Sequence, residues 1–228
     1  NIIVFGEAGS GKSSLVNMIT GKDSALVANS AAGVTFESKH YNADLPDGQL
    51  VTIWDTAGLD EAPGGTVDPQ TAIGNLYKLT RSLDSVHLLV YCVRQRITLY
   101  TVKNYRIFHA ICDGKVPIAI VINGLELDKN IGNWWSDNQK NFADMGWWKT
   151  NEASFKRAGM EFEYQACIAG IRGNRIGNSN SFAYGEAYDA SAIDVNAIIT
   201  RAYHSRNASA SNSPILKVGG GIFTEFYV

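Results

Sequence analysis

The sequence predicts an α/β fold, built on a mostly parallel central sheet with one antiparallel strand and helices on both faces. Short apolar runs that are typical of buried strands alternate along the chain with segments of helical periodicity. Strands that alternate with helices pair in parallel, because each helix carries the chain back across the sheet. The exception is the turn sequence Pro46-Asp47-Gly48, which is typical of a hairpin and predicts one antiparallel pair.

The first elements follow from these patterns in chain order. The first strand is the apolar run 2–5, which ends at a glycine. A helix is predicted at 12–20, where the apolar residues fall on one side. Strand-like segments at 34–45 and 49–54 flank the hairpin turn.

After the hairpin, further helices and strands alternate. Mainly apolar runs predict strands at 85–93, 116–122 and 161–169. Helices are predicted at 70–82, at 98–111, within 133–158 and at 185–206. From residue 207 the chain is rich in Ser, Asn and Ala and then contains three consecutive glycines. We therefore expect one domain over 1–206 and a flexible C-terminal tail over 207–228.

The composition is that of a globular protein without a strongly charged surface. Of the 228 residues, 45% are hydrophobic and 18% are charged, and the formal net charge is −2. This balance gives no electrostatic basis for nucleic-acid binding, so we expect no nucleic-acid partner. Cys92, Cys112 and Cys167 are widely spaced, which favours free thiols in a reducing compartment and a cytoplasmic location.

No apolar run approaches the ~18 residues that a membrane-spanning helix needs. The first residue is Asn1 rather than Met, so we expect the sequence to be an excised piece of a longer protein. Membrane association of that longer protein stays an open alternative.

A glycine-rich motif directly follows the first strand. Residues 6–13 read GEAGSGKS and match the pattern G-x-x-x-x-G-K-S/T at every fixed position. The glycines let successive backbone N–H groups point inward around an anion, and the following helix adds its positive dipole end. We therefore predict a phosphate-binding loop whose nucleotide contacts come from Gly6, Gly9, Ser10, Gly11, Lys12, Ser13 and Ser14.

A second motif, Asp55-Thr56-Ala57-Gly58, follows the strand at 49–54. Asp55 is predicted to hold Mg²⁺ through water, and the N–H of Gly58 to contact the γ-phosphate of a bound nucleotide. Loss of that phosphate would then move the loop. Between the two motifs, Thr35 in Gly33-Val34-Thr35 is predicted to complete the contacts to Mg²⁺ and the γ-phosphate.

A P-loop ATPase and a P-loop kinase are the alternatives to this interpretation. An ATPase usually has a Glu beside the metal-binding Asp, whereas this chain has Thr56. A kinase needs a lid and substrate-binding arginines, which we do not find in the sequence.

With these three elements in order, the chain resembles the P-loop GTPases of the translation-factor-related class. Within that class it is most similar to the branch of septins, plastid import receptors and immunity-associated GTPases, and there to small fungal G-domain proteins. The resemblance covers about residues 1–204 and rests mainly on the first 60. It implies a three-layer G domain that binds GTP or GDP with Mg²⁺.

The element that reads guanine in this family is N-K-x-D, and here the stretch is Asn123-Gly124-Leu125-Glu126. In the family, the Asp accepts two hydrogen bonds from the guanine N1–H and 2-amino groups. Glu126 has the same charge on a longer stem, and Asp128 is the competing candidate. A loop that reads no base is the third alternative. A later loop that supports the base is expected around Cys167-Ile168-Ala169.

A further departure from the family pattern is Leu59, which stands where Ras-like enzymes have the Gln that orients the attacking water. An apolar side chain cannot hydrogen-bond that water, so we expect slow hydrolysis or a group supplied in trans. Relatives in this branch often pair across the nucleotide face, and a homodimer is therefore a predicted partner arrangement. Arg94 and Arg96 are candidates for the supplied group.

Two tryptophan pairs, Trp134-Trp135 and Trp147-Trp148, allow two interpretations. Exposed aromatic side chains would form a partner or membrane-surface patch. Neighbouring residues on a helix point about 100° apart, so packing of one Trp of each pair into the core is the favoured interpretation.

Taken with the resemblance, these motifs predict a protein that hydrolyses GTP to GDP and phosphate with Mg²⁺ and changes conformation as it does so. The predicted catalytic groups are Lys12, Thr35 and Gly58, and the predicted metal ligands are Ser13, Thr35 and Asp55. The alternatives are a non-hydrolysing module that holds GTP as a structural or assembly element, and an adenine-nucleotide hydrolase.

Overall fold

The computed structural model describes residues 1–21, 39–56, 69–94, 96–127 and 146–210. Its strands are β1 Ile2–Phe5, β2 Lys39–Asp44, β3 Leu50–Asp55, β4 Leu88–Arg94, β5 Ile118–Asn123 and β6 Tyr164–Ile168. Its helices are α1 Lys12–Thr20, α2 Pro69–Ser82, α3 Leu99–Ile111, α4 Gly146–Arg157 and α5 Gly185–Ala210, and a short 3-10 turn covers Leu125–Leu127. None of the helices in these ranges is long and apolar enough to cross a bilayer.

The six strands form one sheet in the order β2-β3-β1-β4-β5-β6. Every neighbouring pair is parallel except β2 and β3. The predicted turn closes this antiparallel pair, because Leu45 N–H donates to Gln49 O and Gly48 N–H donates to Leu45 O, both at 2.8 Å. The predicted sheet, mostly parallel with one antiparallel strand, is confirmed.

Helices cover both faces of the sheet and divide the core into two layers. Alternate residues of β5 show the division, since Ile118, Ile120 and Ile122 belong to one layer and Ala119 and Val121 to the other. Side chains of α2, α3 and α4 complete the first layer, among them Leu76, Phe108 and Phe155. Side chains of α1 and α5 complete the second layer, among them Leu15, Val16, Val195 and Ile198. The continuous apolar runs of the sequence therefore correspond to strands that are buried on both faces.

The last helix also binds the hairpin turn at the edge of the sheet. Tyr203 Oη donates to Gln49 Oε1 at 2.8 Å, and His204 Nε2 lies 2.7 Å from Asp47 Oδ2. These two contacts join segments that are more than 150 residues apart along the chain. The C-terminal part of α5 thus fixes the position of the β2–β3 turn.

Several element boundaries differ from the prediction. Helix α5 continues to Ala210 rather than ending at 206, because residues 207–210 include no Gly or Pro that would stop it. Strand β6 begins at Tyr164 rather than 161, because Glu161 N–H donates to the Tyr105 hydroxyl, outside the sheet, at 3.1 Å. Residues 34–38, 133–145 and 211–228, which carry other predicted elements and the rest of the predicted tail, lie outside the described residues.

Trp148 packs into the core, as the favoured interpretation predicts. Its side chain is buried, and its ring lies 5.5 Å from Phe155 and 6.2 Å from Phe162, measured between centroids. Trp134, Trp135 and the side chain of Trp147 lie outside the described part of the chain.

Candidate functional site

The carboxyl ends of the parallel strands meet at one edge of the sheet, and those predicted site residues that the structure describes lie there. Strand β1 leads into residues 6–11, β3 ends at Asp55, and β5 ends at Asn123. The chain proceeds from β1 to one side of the sheet and then crosses to β4 on the other side. Ligands of open α/β sheets bind at such a reversal, next to the carboxyl ends of the strands.

The loop between β1 and α1 depends on glycine at two points. Gly6 has a φ of 152°, and a Cβ atom there would lie 2.1 Å from the carbonyl oxygen of Cys92. Gly11 has a φ of 94°, and a Cβ atom there would lie 2.0 Å from Asn123 Nδ2. Both positions combine a backbone conformation that disfavours side chains with a close neighbour, so the loop can keep this shape only with glycine.

Lys12 crosses the inside of this loop. Its Nζ donates to the carbonyl oxygens of Gly6 at 3.1 Å and Glu7 at 2.9 Å, and the residue is only 8% exposed. Helix α1 begins at Lys12 with no side-chain cap and no acidic residue in its first turn. The positive end of the helix dipole and the ammonium group therefore act at the same place, which is suited to an anion.

Neighbouring strands hold the outer side of the loop. Asn123 Nδ2 donates to Ser10 O at 3.2 Å, and the thiol of Cys92 donates to the same oxygen at 3.3 Å. Arg94 Nε donates to Gly9 O at 2.9 Å. Asn123, which the sequence assigns to the nucleotide, therefore contacts the phosphate loop in this structure. Arg94 contacts the loop of its own chain.

Glu7 forms a link that sequence reasoning missed. Its Oε1 accepts hydrogen bonds from Thr98 Oγ1 at 2.8 Å and Thr101 Oγ1 at 2.7 Å. Thr98 is the N-cap of α3, and the two threonines form a capping box. The T-x-x-T spacing before a helix is a signal for the cap, but no local pattern identifies Glu7 as its third member.

The two predicted metal ligands that the structure describes lie together. Ser13 Oγ donates to Asp55 Oδ2 at 3.1 Å. Burial raises the pKa of the Asp55 carboxyl above its ordinary value, while the positive charge of Lys12 and the Ser13 hydrogen bond oppose part of this rise. Thr35 and Gly58, the other predicted contacts of the metal and the γ-phosphate, lie outside the described residues, as does Leu59.

Thr56 follows Asp55 and is fixed to the first strand. Its hydroxyl and its backbone N–H both donate to Val4 O, at 2.9 Å and 3.2 Å, and the residue is buried. This position, where ATPases usually have a Glu, thus provides no acidic group.

The candidate base-reading loops meet beside Asn123. Glu126 is 7% exposed, and its Oε2 accepts a hydrogen bond from Gly170 N–H at 3.0 Å. The preceding amide, Ala169 N–H, donates to Ser191 Oγ at 3.0 Å. Of the residues predicted for the supporting loop, Cys167 and Ile168 belong to strand β6 instead. The segment that reaches Glu126 begins at Ala169, and Gly170 forms the link. The competing candidate, Asp128, lies outside the described residues.

The three cysteines are buried, and none of them forms a disulfide. Burial raises the pKa of Cys92 to about 11 and that of Cys167 to about 12. Both thiols therefore stay protonated at neutral pH and do not act as nucleophiles.

The geometry by itself defines a class of protein. A glycine-dependent phosphate loop, a lysine within it and a serine–aspartate pair of metal-binding character form the site of a P-loop nucleotide-binding domain. The chain belongs to the family described as 50S ribosome-binding GTPase, whose model matches residues 1–124. The predicted membership of the P-loop GTPases is thereby confirmed, and the domain is a GTP-binding G domain.

Relatives with known names come from several GTPase groups. Immune-associated nucleotide-binding protein 3 of Arabidopsis thaliana is 35% identical over 98 residues, which is 43% of this chain and 29% of that protein. GTPase Der of Streptococcus pneumoniae is 29% identical over 142 residues, which is 61% of this chain and 32% of that protein. The matched part of this chain thus spans less than a third of the length of either relative.

Solved structures support the fold. Toc33 from Arabidopsis thaliana superposes with a TM-score of 0.57 at 19% identity, over 90% of this chain and 84% of that one. Era in complex with MgGDPNP and nucleotides 1506–1542 of 16S ribosomal RNA has a TM-score of 0.58 at 14% identity, over 99% of this chain and 59% of that one. The predicted three-layer fold is confirmed, and the branch named by the sequence resemblance is represented among these similar proteins.

Proposed function

We propose that this domain binds GTP with Mg²⁺, hydrolyses it slowly to GDP and phosphate, and changes conformation as the γ-phosphate is lost. The observation that carries the proposal is the contact of Ser13 Oγ with Asp55 Oδ2, which joins the phosphate loop to the second motif. Family membership supports GTP as the nucleotide.

The phosphate loop supplies binding and charge neutralisation. When the nucleotide binds, Lys12 Nζ gives up its hydrogen bonds to the Gly6 and Glu7 carbonyls and bonds to phosphate oxygens instead. A hydrogen bond from an ammonium group to an anion is stronger than one to a neutral carbonyl. The uncapped start of α1, whose first backbone N–H groups and positive dipole end lie directly after the loop, holds the remaining phosphate charge. The bonds from Asn123 and Arg94 to the outer carbonyls keep the loop in this shape without the ligand.

The donors present fit a magnesium ion. The hydroxyl of Ser13 and the carboxylate of Asp55 are hard oxygen ligands of the kind that Mg²⁺ prefers. When bound, Mg²⁺ neutralises charge on the β- and γ-phosphate oxygens. In this proposal Thr35 is a further ligand, and the amide of Gly58 contacts the γ-phosphate, as the sequence predicts.

Hydrolysis is expected to be slow because Leu59 provides no group that orients the attacking water. We infer that a second copy of the chain accelerates it across the nucleotide face. In two similar proteins, the chloroplast translocon components atToc33 and psToc159, dimerization is important for the GTPase activity. In this chain Arg94 is bound to its own phosphate loop, whereas the exposed side chain of Arg96 is available for a partner.

A second candidate is a domain that holds GTP without hydrolysing it and uses it for assembly. Leu59 favours this function, since removal of the water-orienting group leaves nucleotide binding intact. An adenine-nucleotide hydrolase is disfavoured, because Thr56 is bonded to Val4 O in place of an acidic water activator. The three buried thiols, which form no disulfide, support a reducing, cytoplasmic location as part of the proposal.

Binding of GTP and of ATP, with and without Mg²⁺, tests the proposal directly. We expect GTP to bind preferentially, and Lys12→Ala to weaken its binding by about 100-fold, because charge-assisted hydrogen bonds to phosphate are lost. Lys115→Ala is the matched control, since Lys115 precedes β5 and lies at the other end of that strand. Native affinity in Lys12→Ala would contradict the phosphate-loop assignment.

Phosphate release in the same samples separates the two candidates. A slow rate per molecule that rises with protein concentration supports dimer-assisted hydrolysis. GTP binding with no release at any concentration favours the assembly function.

A further inference from the structure

The three helices that cover one face of the sheet are rich in basic residues. Helices α2, α3 and α4 pack on the same core layer, and their outer surface is called the basic face below. They contain one acidic residue, Glu152, which is paired with Lys156 Nζ at 2.8 Å. Their basic residues are Lys78, Arg81, Lys103, Arg106, Lys149, Lys156 and Arg157. Helices α1 and α5, on the opposite face, contain equal numbers of basic and acidic residues. The formal net charge of −2 therefore hides an uneven distribution of charge.

Cations in the middle of the basic face are exposed. On α3, Lys103 and Arg106 follow Leu99 at the spacing that brings side chains to one side of a helix, and all three are exposed. Lys78 on the neighbouring helix α2 is exposed as well. Helices α2 and α3 contain no Asp or Glu, so their positive charge is not balanced within either helix.

The acidic residues that directly follow these helices lie at one edge of the basic face. Asp84, Asp113 and Glu161 come after the C-terminal ends of α2, α3 and α4. Helices that connect parallel strands run opposite to them, so these ends lie at the edge away from the phosphate loop. Asp113 is paired there with Lys115. These acidic residues therefore border the basic face and do not interrupt it.

Two apolar side chains lie at the other end of the basic face, at the start of α3. Leu99 is 88% exposed, and Tyr100 is 56% exposed. Hydrogen bonds hold their turn in place, because Thr98 and Thr101 form the capping box and Tyr91 Oη donates to Thr101 O at 2.7 Å. Neighbouring large apolar groups that are exposed on a fixed turn indicate an interaction surface.

We propose that the basic face docks on a membrane surface that contains anionic lipid, with Leu99 and Tyr100 inserted between the headgroups. Lys78, Lys103 and Arg106 then lie against the negative headgroups. Cations along a helical face with apolar residues beside them are typical of interfacial binding, and each cation near an anionic bilayer strengthens binding about fivefold.

The distribution of charge favours lipid over a protein partner. Exposed cations of one sign on adjacent helices match a surface of uniform negative charge, whereas protein interfaces pair patches of both signs. The phosphate loop lies at the edge of the sheet and not on the basic face, so this inference goes beyond the proposed function and does not depend on it.

Co-sedimentation of the chain with lipid vesicles tests the proposal. One set of vesicles is phosphatidylcholine alone, and the other contains about 30% phosphatidylserine. At about 0.1 M salt we expect the chain to sediment with the anionic vesicles and to stay in solution with the neutral ones. At about 0.5 M salt binding should fall steeply, because salt screens the attraction.

The double variant Lys103→Ala/Arg106→Ala identifies the face that binds. We expect its partitioning onto anionic vesicles to be about 10- to 30-fold weaker, because two cations are lost. Arg175→Ala/Arg201→Ala is the matched control, since it removes two exposed arginines from α5 and the segment before it. This control should bind within about threefold of the unmodified chain. Circular dichroism of each variant verifies that it is folded.

Leu99→Ser separates insertion from charge. We expect it to bind anionic vesicles about tenfold more weakly, because an apolar group no longer leaves water. Equal binding to neutral and anionic vesicles, an equal loss in the control pair, or native vesicle binding in either test variant would overturn the proposal. Binding to polyglutamate or to an RNA homopolymer without binding to anionic vesicles would also overturn it, and would indicate that the basic face meets a macromolecule.

Discussion

Asp55 links pH to metal binding, because it is a carboxylate in a buried setting. Its raised pKa means that a proton competes for the carboxylate at a pH at which an exposed aspartate is still ionised. We expect the Mg²⁺-dependent part of GTP affinity to fall as the pH falls toward this raised pKa. GTP titrations at a series of pH values, with Mg²⁺ or with a chelator, measure the effect.

The same shift has a consequence for the free protein. The folded state binds this proton more tightly than the unfolded state, so Asp55 alone makes folding less favourable as the pH rises through the window between the ordinary and the raised pKa. Asp55→Asn should remove the Mg²⁺ dependence of GTP affinity. It should also remove this part of the pH dependence of the free energy of unfolding. Asp113→Asn, on the surface, is the control. A Mg²⁺ effect that stays constant down to about pH 4 would contradict the assignment of Asp55.

Single residues of the site could be predicted only where the motif is continuous along the chain. Lys12, Ser13 and the loop glycines are fixed by their spacing, and Asp55 by its position after a strand. Glu7 and Gly170 could not be predicted, because their partners are 91 to 94 and 44 residues away along the chain. Such contacts follow from strand order, which one sequence does not reveal.

Among the elements that are distant along the chain, α3 is held by the phosphate loop through side-chain hydrogen bonds. The Glu7 carboxylate accepts hydrogen bonds from both threonine hydroxyls of the capping box. The phosphate loop is therefore bonded directly to the first turn of α3. Tyr91 Oη also donates to Thr101 O at 2.7 Å, which fixes the same turn to β4. A ligand that orders the phosphate loop should therefore slow amide hydrogen exchange in the first turn of α3.

Glu7→Ala tests this connection. We expect it to lower the free energy of unfolding by about 1–3 kcal/mol, because two hydrogen bonds to a charged acceptor are lost. Amide exchange in the first turn of α3 should become faster, and Glu7→Gln, which keeps an acceptor oxygen, should recover part of both effects. Glu152→Ala removes an exposed carboxylate on α4 and serves as the control. Unchanged exchange in α3 would show that the link does not stabilise the helix.

Element types were easier to predict than their ends. Strand β1 is apolar throughout, and β4 and β5 are apolar up to their last residues, Arg94 and Asn123. These apolar parts are buried, so their runs identify the strands. The end of α5 at Ala210 was not predicted, since Ser and Asn are compatible with both a helix and a tail.

At the scale of the whole molecule, the site is built from segments that follow four of the six strands. A ligand that binds only when these segments are assembled stabilises the folded state by about 2.7 kcal/mol at 100 times its Kd. We expect GTP with Mg²⁺ at that concentration to raise Tm by roughly 5–11 °C for a domain of this size. Thermal unfolding followed by circular dichroism measures the shift.

The controls for this shift are the same protein with ATP and Lys12→Ala with GTP. Neither combination should raise Tm by a comparable amount. An equal shift with ATP would indicate that the site does not select guanine, while an equal shift in Lys12→Ala would indicate binding elsewhere on the domain.

The contact between α5 and the hairpin turn also has a consequence for synthesis of the chain. Tyr203 bonds to Gln49 across 154 residues, so the turn leaves the ribosome long before its partner exists. At a translation rate of roughly 5–20 residues per second, this delay is about 8–30 s. During that interval the nascent hairpin can pair with β1 and pack against α1, but it lacks its contacts with α5. The β2 edge of the sheet therefore acquires its contacts with α5 only near the end of synthesis of the domain.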